Sequence, residues 1–362
     1  MSQYGTAIPI SIFGESHGES IGLTIHNLPA GITLNHAIIN DALYKRRPKS
    51  KISTARQEKD QYRIISGILG DTTTGAPLTV IIPNKDTHSK DYNKYILRPS
   101  HSDYTAHMKY RSLHDHRGGG HFSGRITATL VILGAICQQI LTKKDILIGS
   151  HIASIKDQSE DKFTLETLNK ESILKLLDSD FPLLDTSKES SFKDTITSAK
   201  DQADSVGGVI ETAVLNMPVG LGGPYFNKFE SFLSGLIFSL PAVKGLAFGD
   251  GFDITTKYGS EANDPFRIKN GKIVTSSNHS GGVQGGITNG MPLTFSTAIK
   301  PTSSIGKPQK TVNFKTKEEI EYTLVGRHDP AIVHRVIHVI NAITNYAMVE
   351  AITKEEGYKW MI

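Results

Sequence analysis

The sequence predicts an α+β fold. Its short strand-like runs come in clusters and do not alternate strictly with helices, which disfavours a doubly wound parallel sheet. Two segments, 127–141 and 331–351, are long, largely apolar and helical in character, as expected of helices at the centre of a core. No short repeat and no Ser/Gly/Pro-rich linker divides the 362 residues, so one domain over 1–362 is expected, with a polar surface excursion at 150–204.

Taken in chain order, residues 20–27 are apolar-rich and read as a strand. Residues 34–45 have helical spacing and run into a basic corner, Lys45-Arg46-Arg47-Pro48, where proline breaks regular structure. The polar stretch up to Lys59 reads as a loop. Residues 63–69 and 78–83, rich in Ile and Val, read as strands joined by a turn, and 84–95 as a further loop. Arg117-Gly118-Gly119-Gly120 leads into the first apolar helix. Residues 150–204 are rich in Lys, Asp and Ser, with helical periodicity over 165–177. Residues 206–219, 243–248 and 293–298 read as strands. Between the first two, Phe229, Phe232, Leu233, Leu236 and Ile237 fall on one helical stripe.

A net charge of +4 and a 38% hydrophobic fraction suit a soluble globular chain. The single cysteine, Cys137, excludes an intrachain disulfide and reads as a buried small hydrophobe in a reducing compartment. No stretch approaches the ~20 apolar residues that span a bilayer. Nor does the N-terminus carry a signal or transit pattern, so a cytoplasmic location without a membrane partner is expected. The basic residues are not interleaved with aromatics as in single-strand binders, which argues against a nucleic-acid partner. His107, His114, His116, His334 and His338 lack an H-E-x-x-H run or a cysteine partner, so no metal is expected.

Three histidine-centred runs carry the chemistry: Phe13-Gly14-Glu15-Ser16-His17-Gly18, Arg98-Pro99-Ser100-His101-Ser102-Asp103-Tyr104-Thr105 and Gly326-Arg327-His328-Asp329-Pro330. Histidine exchanges protons near working pH, and glycine lets backbone approach a ligand closely. Core packing gives no reason for such runs; proton transfer does. Arg46 and Arg47, with Arg56 nearby, suit phosphate or carboxylate. They also suit a solvated helix end, where cations complement the dipole. The three glycines before Arg125 either leave N–H groups facing an anion or form a flexible turn. Their spacing matches neither a P-loop nor a dinucleotide fingerprint. Gly281-Gly282-Val283-Gln284-Gly285-Gly286 and Lys300-Pro301-Thr302-Ser303-Ser304 read as phosphate-gripping segments or as exposed loops. Asp329-Pro330 reads as a helix start, Asp at N-cap and Pro at N1. Arg335, further along that helix, points either to the helix start or to solvent.

In this order the motifs resemble chorismate synthase, over nearly the whole chain. The resemblance rests on the runs above together with Asp204-Ser205-Val206-Gly207-Gly208, Ala242-Val243-Lys244-Gly245, Gly249-Asp250-Gly251-Phe252 and Ser277-Asn278-His279-Ser280-Gly281-Gly282. It implies a β-α-β sandwich with helices packed between antiparallel sheets, assembled as a homotetramer. It implies conversion of 5-enolpyruvylshikimate 3-phosphate to chorismate and phosphate, the last common step towards the aromatic amino acids. That 1,4-elimination needs reduced FMN without net redox change. On the matching positions His17 protonates the departing phosphate, His101 protonates reduced FMN and Asp329 relays the ring proton. Arg46, Arg47, Arg125 and Arg335 are the substrate- or NADP-binding candidates. His121, Phe122, Ser123, Ala242, Gly285, Lys300, Pro301, Thr302, Ser303, Ser304 and Arg327 match FMN-contacting positions. No inserted nicotinamide domain is visible, so NADPH is expected to act only indirectly, through a separate flavin reductase. Two departures stand out. His121-Phe122 replaces the family's usual Arg-Ser after the glycines, and Pro48-Lys49-Ser50 replaces its usual Pro-Gly. The rival readings are a flavoprotein oxidoreductase, which leaves the arginines unexplained, and a non-catalytic anion- or nucleic-acid-binding module.

Overall fold

Alternating β-branched residues build the first sheet. In Leu78–Pro83 the side chains of Leu78, Val80 and Ile82 are buried and the intervening ones half-exposed, the period-two pattern of a strand with one face on the core. The computed structural model describes residues 2–48, 52–53, 58–85, 93–324, 326 and 328–362. Its first sheet contains β1 (Gln3–Tyr4), β2 (Ile10–Gly14), β3 (Ser20–Ile25), β4 (Arg63–Ser66) and β5 (Leu78–Pro83), in the order β1-β2-β3-β5-β4. The second contains β6 (Leu147–Ile155), β7 (Gln158–Ser159), β8 (Gly208–Leu215), β9 (Val243–Phe248) and β10 (Leu293–Ile299), in the order β9-β10-β8-β6-β7. Neighbours in both sheets run antiparallel.

The helices of seven residues or more among the described residues are α1 (His36–Arg46), α2 (Asp103–Lys109), α3 (Thr127–Thr142), α4 (Lys170–Asp178), α5 (Glu189–Asp201), α6 (Phe229–Ile237) and α7 (Val333–Glu356). Mixed α and β structure with antiparallel sheets agrees with the sequence expectation. Helix α3 touches β3 and β5, α7 touches β6 and β8, and the two helices pack on each other. At their crossing a side chain on Gly134 would run into the backbone of Ala342. Helix α1 packs on both. One buried apolar cluster runs through all of these elements.

One expectation changes. Helix α3, extended back to Gly124, is long and apolar enough to cross a membrane by length and composition, contrary to the sequence reading. Burial accounts for its apolarity: 78% of that stretch lies inside the protein. The polar segment 150–204 begins within the buried strand β6, and most of its later residues are exposed or half-buried. Its polar composition hides the apolar faces of α4 (Ile173, Leu176) and α5 (Phe192, Ile196, Ala199). It also hides a buried charged triad. His151 donates Nδ1–H to Glu160 and Nε2–H to Glu211 at 2.7 Å, so both ring nitrogens carry protons. Burial pushes the His151 pKa down, but the two carboxylates outweigh it and hold it up. Glu160 further accepts the N–H groups of Leu184 and Asp185 at 3.0 Å, which ties the segment down.

The N-terminal segment is pinned by a second buried charge. Glu350 of α7 accepts from Thr6 N at 2.6 Å, Thr6 Oγ1 at 3.1 Å, Ala7 N at 3.0 Å and Ile8 N at 2.6 Å. Glu350→Gln sets an amide donor against these N–H groups. It is expected to cost about 2 kcal/mol, read as a lower unfolding free energy in urea.

Candidate active site

Three helix ends meet at one place. The last turn of α1 brings Arg46, where the helix dipole favours a cation. Its Nε donates to Thr127 Oγ1 at 3.1 Å and its Nη2 to the Gly124 carbonyl at 2.9 Å. Burial pushes the Arg46 pKa down to about 9, opposed by Asp60, so the group stays charged at neutral pH. Just before α3, Arg125 donates Nε–H to Asn84 Oδ1 at 3.0 Å, pairs through Nη2 with Glu58 at 3.0 Å and through Nη1 with Asp60. At the start of α7, Arg335 donates Nε–H to the Arg46 carbonyl at 3.2 Å and pairs through Nη1 with Asp329. Arg335 therefore faces the helix start. The expected cap is not formed: α7 begins at Val333, its N-cap Ile332 makes no side-chain hydrogen bond, and Asp329 turns to Arg335.

The glycine run serves His17. Gly118, Gly119 and Gly120 sit at φ +59°, +86° and +52°, a region that favours glycine. A side chain at Gly118 would collide with the His17 ring. The Gly118 carbonyl accepts from Ser16 Oγ at 3.0 Å, and the Gly120 carbonyl from Ser16 N at 3.2 Å. The loop thus fixes the residue next to His17 and leaves room for the imidazole.

His101 precedes α2 and donates Nδ1–H to the Pro99 carbonyl at 3.0 Å, which leaves Nε2 as its proton-exchanging atom. Burial, then the Arg98 charge, pushes its pKa below the usual histidine value. Arg98 is itself fixed by a two-bond fork to Asp103, at 2.8 and 2.7 Å. After β10, Lys300 Nζ donates to Ser303 Oγ at 2.7 Å and to the Ser100 carbonyl at 3.0 Å. His328 donates Nε2–H to the Leu324 carbonyl at 3.0 Å, so its Nδ1 accepts from Ser304 Oγ at 2.9 Å. Among the described residues the buried Thr302 hydroxyl has no hydrogen-bond partner. Tyr110, His121 and Phe122 form an aromatic group, with ring centroids 4.2 Å apart for His121–Phe122 and 5.3 Å for Tyr110–His121.

One cleft of about 1700 Å³ is lined by His17, Arg46, Arg47, His101, Tyr110, His121, Phe122, Ser123, Arg125, Ala242, Lys300, Pro301, Thr302, Ser303, Ser304, Asp329 and Arg335, while His328 lies outside that lining. Gly285 is not among its lining residues. It sits with Gly286 in the two-residue turn joining Val283–Gln284 to Ile287–Asn289, at φ +64° and +87°, where the hairpin itself calls for glycine. Arg327, together with Lys49, Ser50 and Arg56, lies outside the described residues. Sequence reasoning missed Glu58 and Asp60, the carboxylates beneath the arginines, and Asn84, which holds Arg125. Two acids in a loop just after an arginine-rich corner were the available signal.

Comparison with known proteins decides the family. The chorismate synthase family model matches residues 8–353. The chain belongs to the chorismate synthase family. It is 41% identical over 349 residues to chorismate synthase of Pyrococcus abyssi, covering 96% of each chain. It is 39% identical over 345 residues to that of Methanosarcina barkeri, covering 94% of this chain and 93% of the other. Among solved structures, a crystal structure of chorismate synthase is similar at a TM-score of 0.77 and 26% identity, covering 98% of this chain and 94% of that one. Membership makes the chain a lyase of aromatic amino-acid biosynthesis, acting on a small molecule.

Two outcomes test the geometry. Gly118→Ala is expected to displace His17 and lower kcat/KM roughly 100-fold, while circular dichroism stays near wild type and stability falls by only about 1 kcal/mol from the left-handed backbone. His334, bonded to Ser53 at 2.7 Å, has its pKa pushed down to about 3 by burial, with Arg335 adding to the effect. Unfolded histidine titrates near 6.5, so between these values the unfolded chain binds a proton that the folded chain refuses. Unfolding free energy should therefore fall as pH drops from about 6.5 towards 3, and His334→Gln should reduce the fall.

Proposed function

We propose that the chain converts 5-enolpyruvylshikimate 3-phosphate to chorismate and phosphate, with reduced FMN bound in the same cleft. One observation carries this reading: Arg46, Arg125 and Arg335, from three helix ends, converge with His17, His101 and Asp329 on a single cleft. At about 1700 Å³ it exceeds the roughly 300–1,000 Å³ typical of one small ligand, which leaves room for substrate and cofactor together. The substrate carries a phosphate and two carboxylates, the groups that guanidinium forks bind best.

The donor set also fits a flavin mononucleotide. Lys300, Thr302, Ser303 and Ser304 offer a cation and hydroxyls, including the unpartnered Thr302 hydroxyl, and Tyr110, His121 and Phe122 offer faces for a planar ring. The chemistry drawn from bound reduced flavin is a transient loan of electron density, with no net oxidation. The chain's own residues manage binding and protons. The arginines orient the anionic groups. Protonated His17 gives its proton to the departing phosphate, which leaves more readily as the acid. His101, anchored through Nδ1, exchanges a proton at Nε2 on the flavin side. Asp329, aimed by Arg335, accepts the ring proton.

With this reading go a β-α-β sandwich, supported by α3 on the first sheet and α7 on the second, and a cytoplasmic homotetramer of the shikimate pathway. NADPH then serves only through a separate flavin reductase. An anaerobic assay with 5-enolpyruvylshikimate 3-phosphate and chemically reduced FMN is expected to release chorismate and phosphate in equal amounts, with the flavin still reduced. Net NAD(P)H oxidation without chorismate would favour a flavin oxidoreductase. His17→Ala and His101→Ala are each expected to lower kcat about 10²–10⁴-fold with the fold intact.

A further inference from the structure

We propose that Asp60 is a positioning residue, which gathers Arg46, Arg47 and Arg125 into one anion-binding face and thereby sets substrate affinity. The proposal rests on the cleft being the site of a phosphorylated dicarboxylate. Asp60 Oδ2 lies 3.5 Å from Arg46 Nη1 and 3.9 Å from Arg47 Nε, and its Oδ1 bonds Arg125 Nη1. One carboxylate, its side chain 1% exposed, thus faces three guanidinium groups. These come from two separate elements, the end of α1 and the turn before α3, so no local sequence relation holds them together.

Three cations brought this close in a dry site repel one another strongly. Arg46 and Arg125 are each only 7% exposed, so water does little to screen them. Each keeps other anchors: Thr127 and the Gly124 carbonyl for Arg46, Asn84 and Glu58 for Arg125. Loss of Asp60 therefore leaves the arginines attached but free to splay. Among the described residues, Arg47 Nε is buried with no hydrogen bond of its own, a donor held near Asp60 and left over for a ligand. The backbone at Asp60 takes φ +46°, a region a non-glycine residue seldom adopts.

A carboxylate beside an anion site can act in two opposite ways. As a mere competitor for the guanidinium groups, its removal would tighten anion binding. As the post that aligns them, its removal weakens binding. The alignment of one acid with three arginines points to the second.

The test uses the full chain and two probes, inorganic phosphate binding by calorimetry and steady-state kinetics with 5-enolpyruvylshikimate 3-phosphate. Asp60→Asn, which keeps size and removes charge, is expected to weaken phosphate binding and raise KM at least 10-fold, with kcat changed less than about 3-fold. Asp60→Glu, which keeps the charge but moves it outward, is expected to fall between, at about a 3-fold loss. Unchanged or tighter phosphate binding in Asp60→Asn, or a kcat loss at constant KM, overturns the proposal. Should Asp60→Asn fail to fold, Asp60→Glu decides, and wild-type phosphate binding by it overturns the proposal. A wild-type chain that binds phosphate but makes no chorismate would instead defeat the proposed reaction, and the binding comparison would still decide the role of Asp60.

Discussion

The crossing of α3 and α7 governs the rest of the structure. It is close because Gly134 has no side chain to hold Ala342 away. Close approach lets the flanking apolar faces pack at interior density, where even one extra methylene is felt. With the two helices locked, and α1 packed on both, the end of α1 and the beginnings of α3 and α7 are brought to one rim. The arginines sit at those three ends. Site geometry is thus inherited from helix packing, with loops supplying only the final contacts.

Burying that much charge demands compensation. An isolated guanidinium in an apolar interior is very costly, and paired burial is tolerated only with good geometry and further hydrogen bonds. The protein meets the demand at each place where it arises. Glu58 and Asp60 sit under Arg46 and Arg125, and Asp329 under Arg335. Away from the cleft, His151 is clasped between Glu160 and Glu211, and Glu350 is saturated by the backbone of residues 6–8. Apart from the Asp329–Arg335 pair, six residues apart, these nodes join segments distant in sequence, so the charges also fix which segments meet.

At the site, backbone freedom and charge divide the labour. The Gly118–Gly120 turn makes space for His17 and grips Ser16 through its carbonyls. His101 is aimed by a neighbouring carbonyl and by the Arg98–Asp103 fork. His101 owes its placement to its own short run, whereas His17 depends on a glycine turn about a hundred residues further along the chain.

Periodicity and local motif made much of the chain legible. Strands at Leu78–Pro83 and Leu293–Ile299, helices at His36–Arg46 and Thr127–Thr142, and the histidine runs could be read because period-two and period-3.6 patterns and turn residues are local properties. Ordered motifs made the family legible too. Reading failed where a local signal had a competing tertiary use. Asp329 looked like a helix cap, but Arg335 offered it a charged partner. Gly285 has a structural use of its own, a hairpin turn that calls for glycine whatever else it touches. Within the polar run after Ser150, His151 and Glu160 form a buried pair, which Glu211 of β8 completes, and no local pattern signals it. The sequence by itself determined the elements, the family and the residue types gathered for chemistry. Only the tertiary structure decided that Asp60 would lie beneath three arginines, because a buried charge is matched by whatever counter-charge packing brings near, and that choice leaves no periodic trace in the chain.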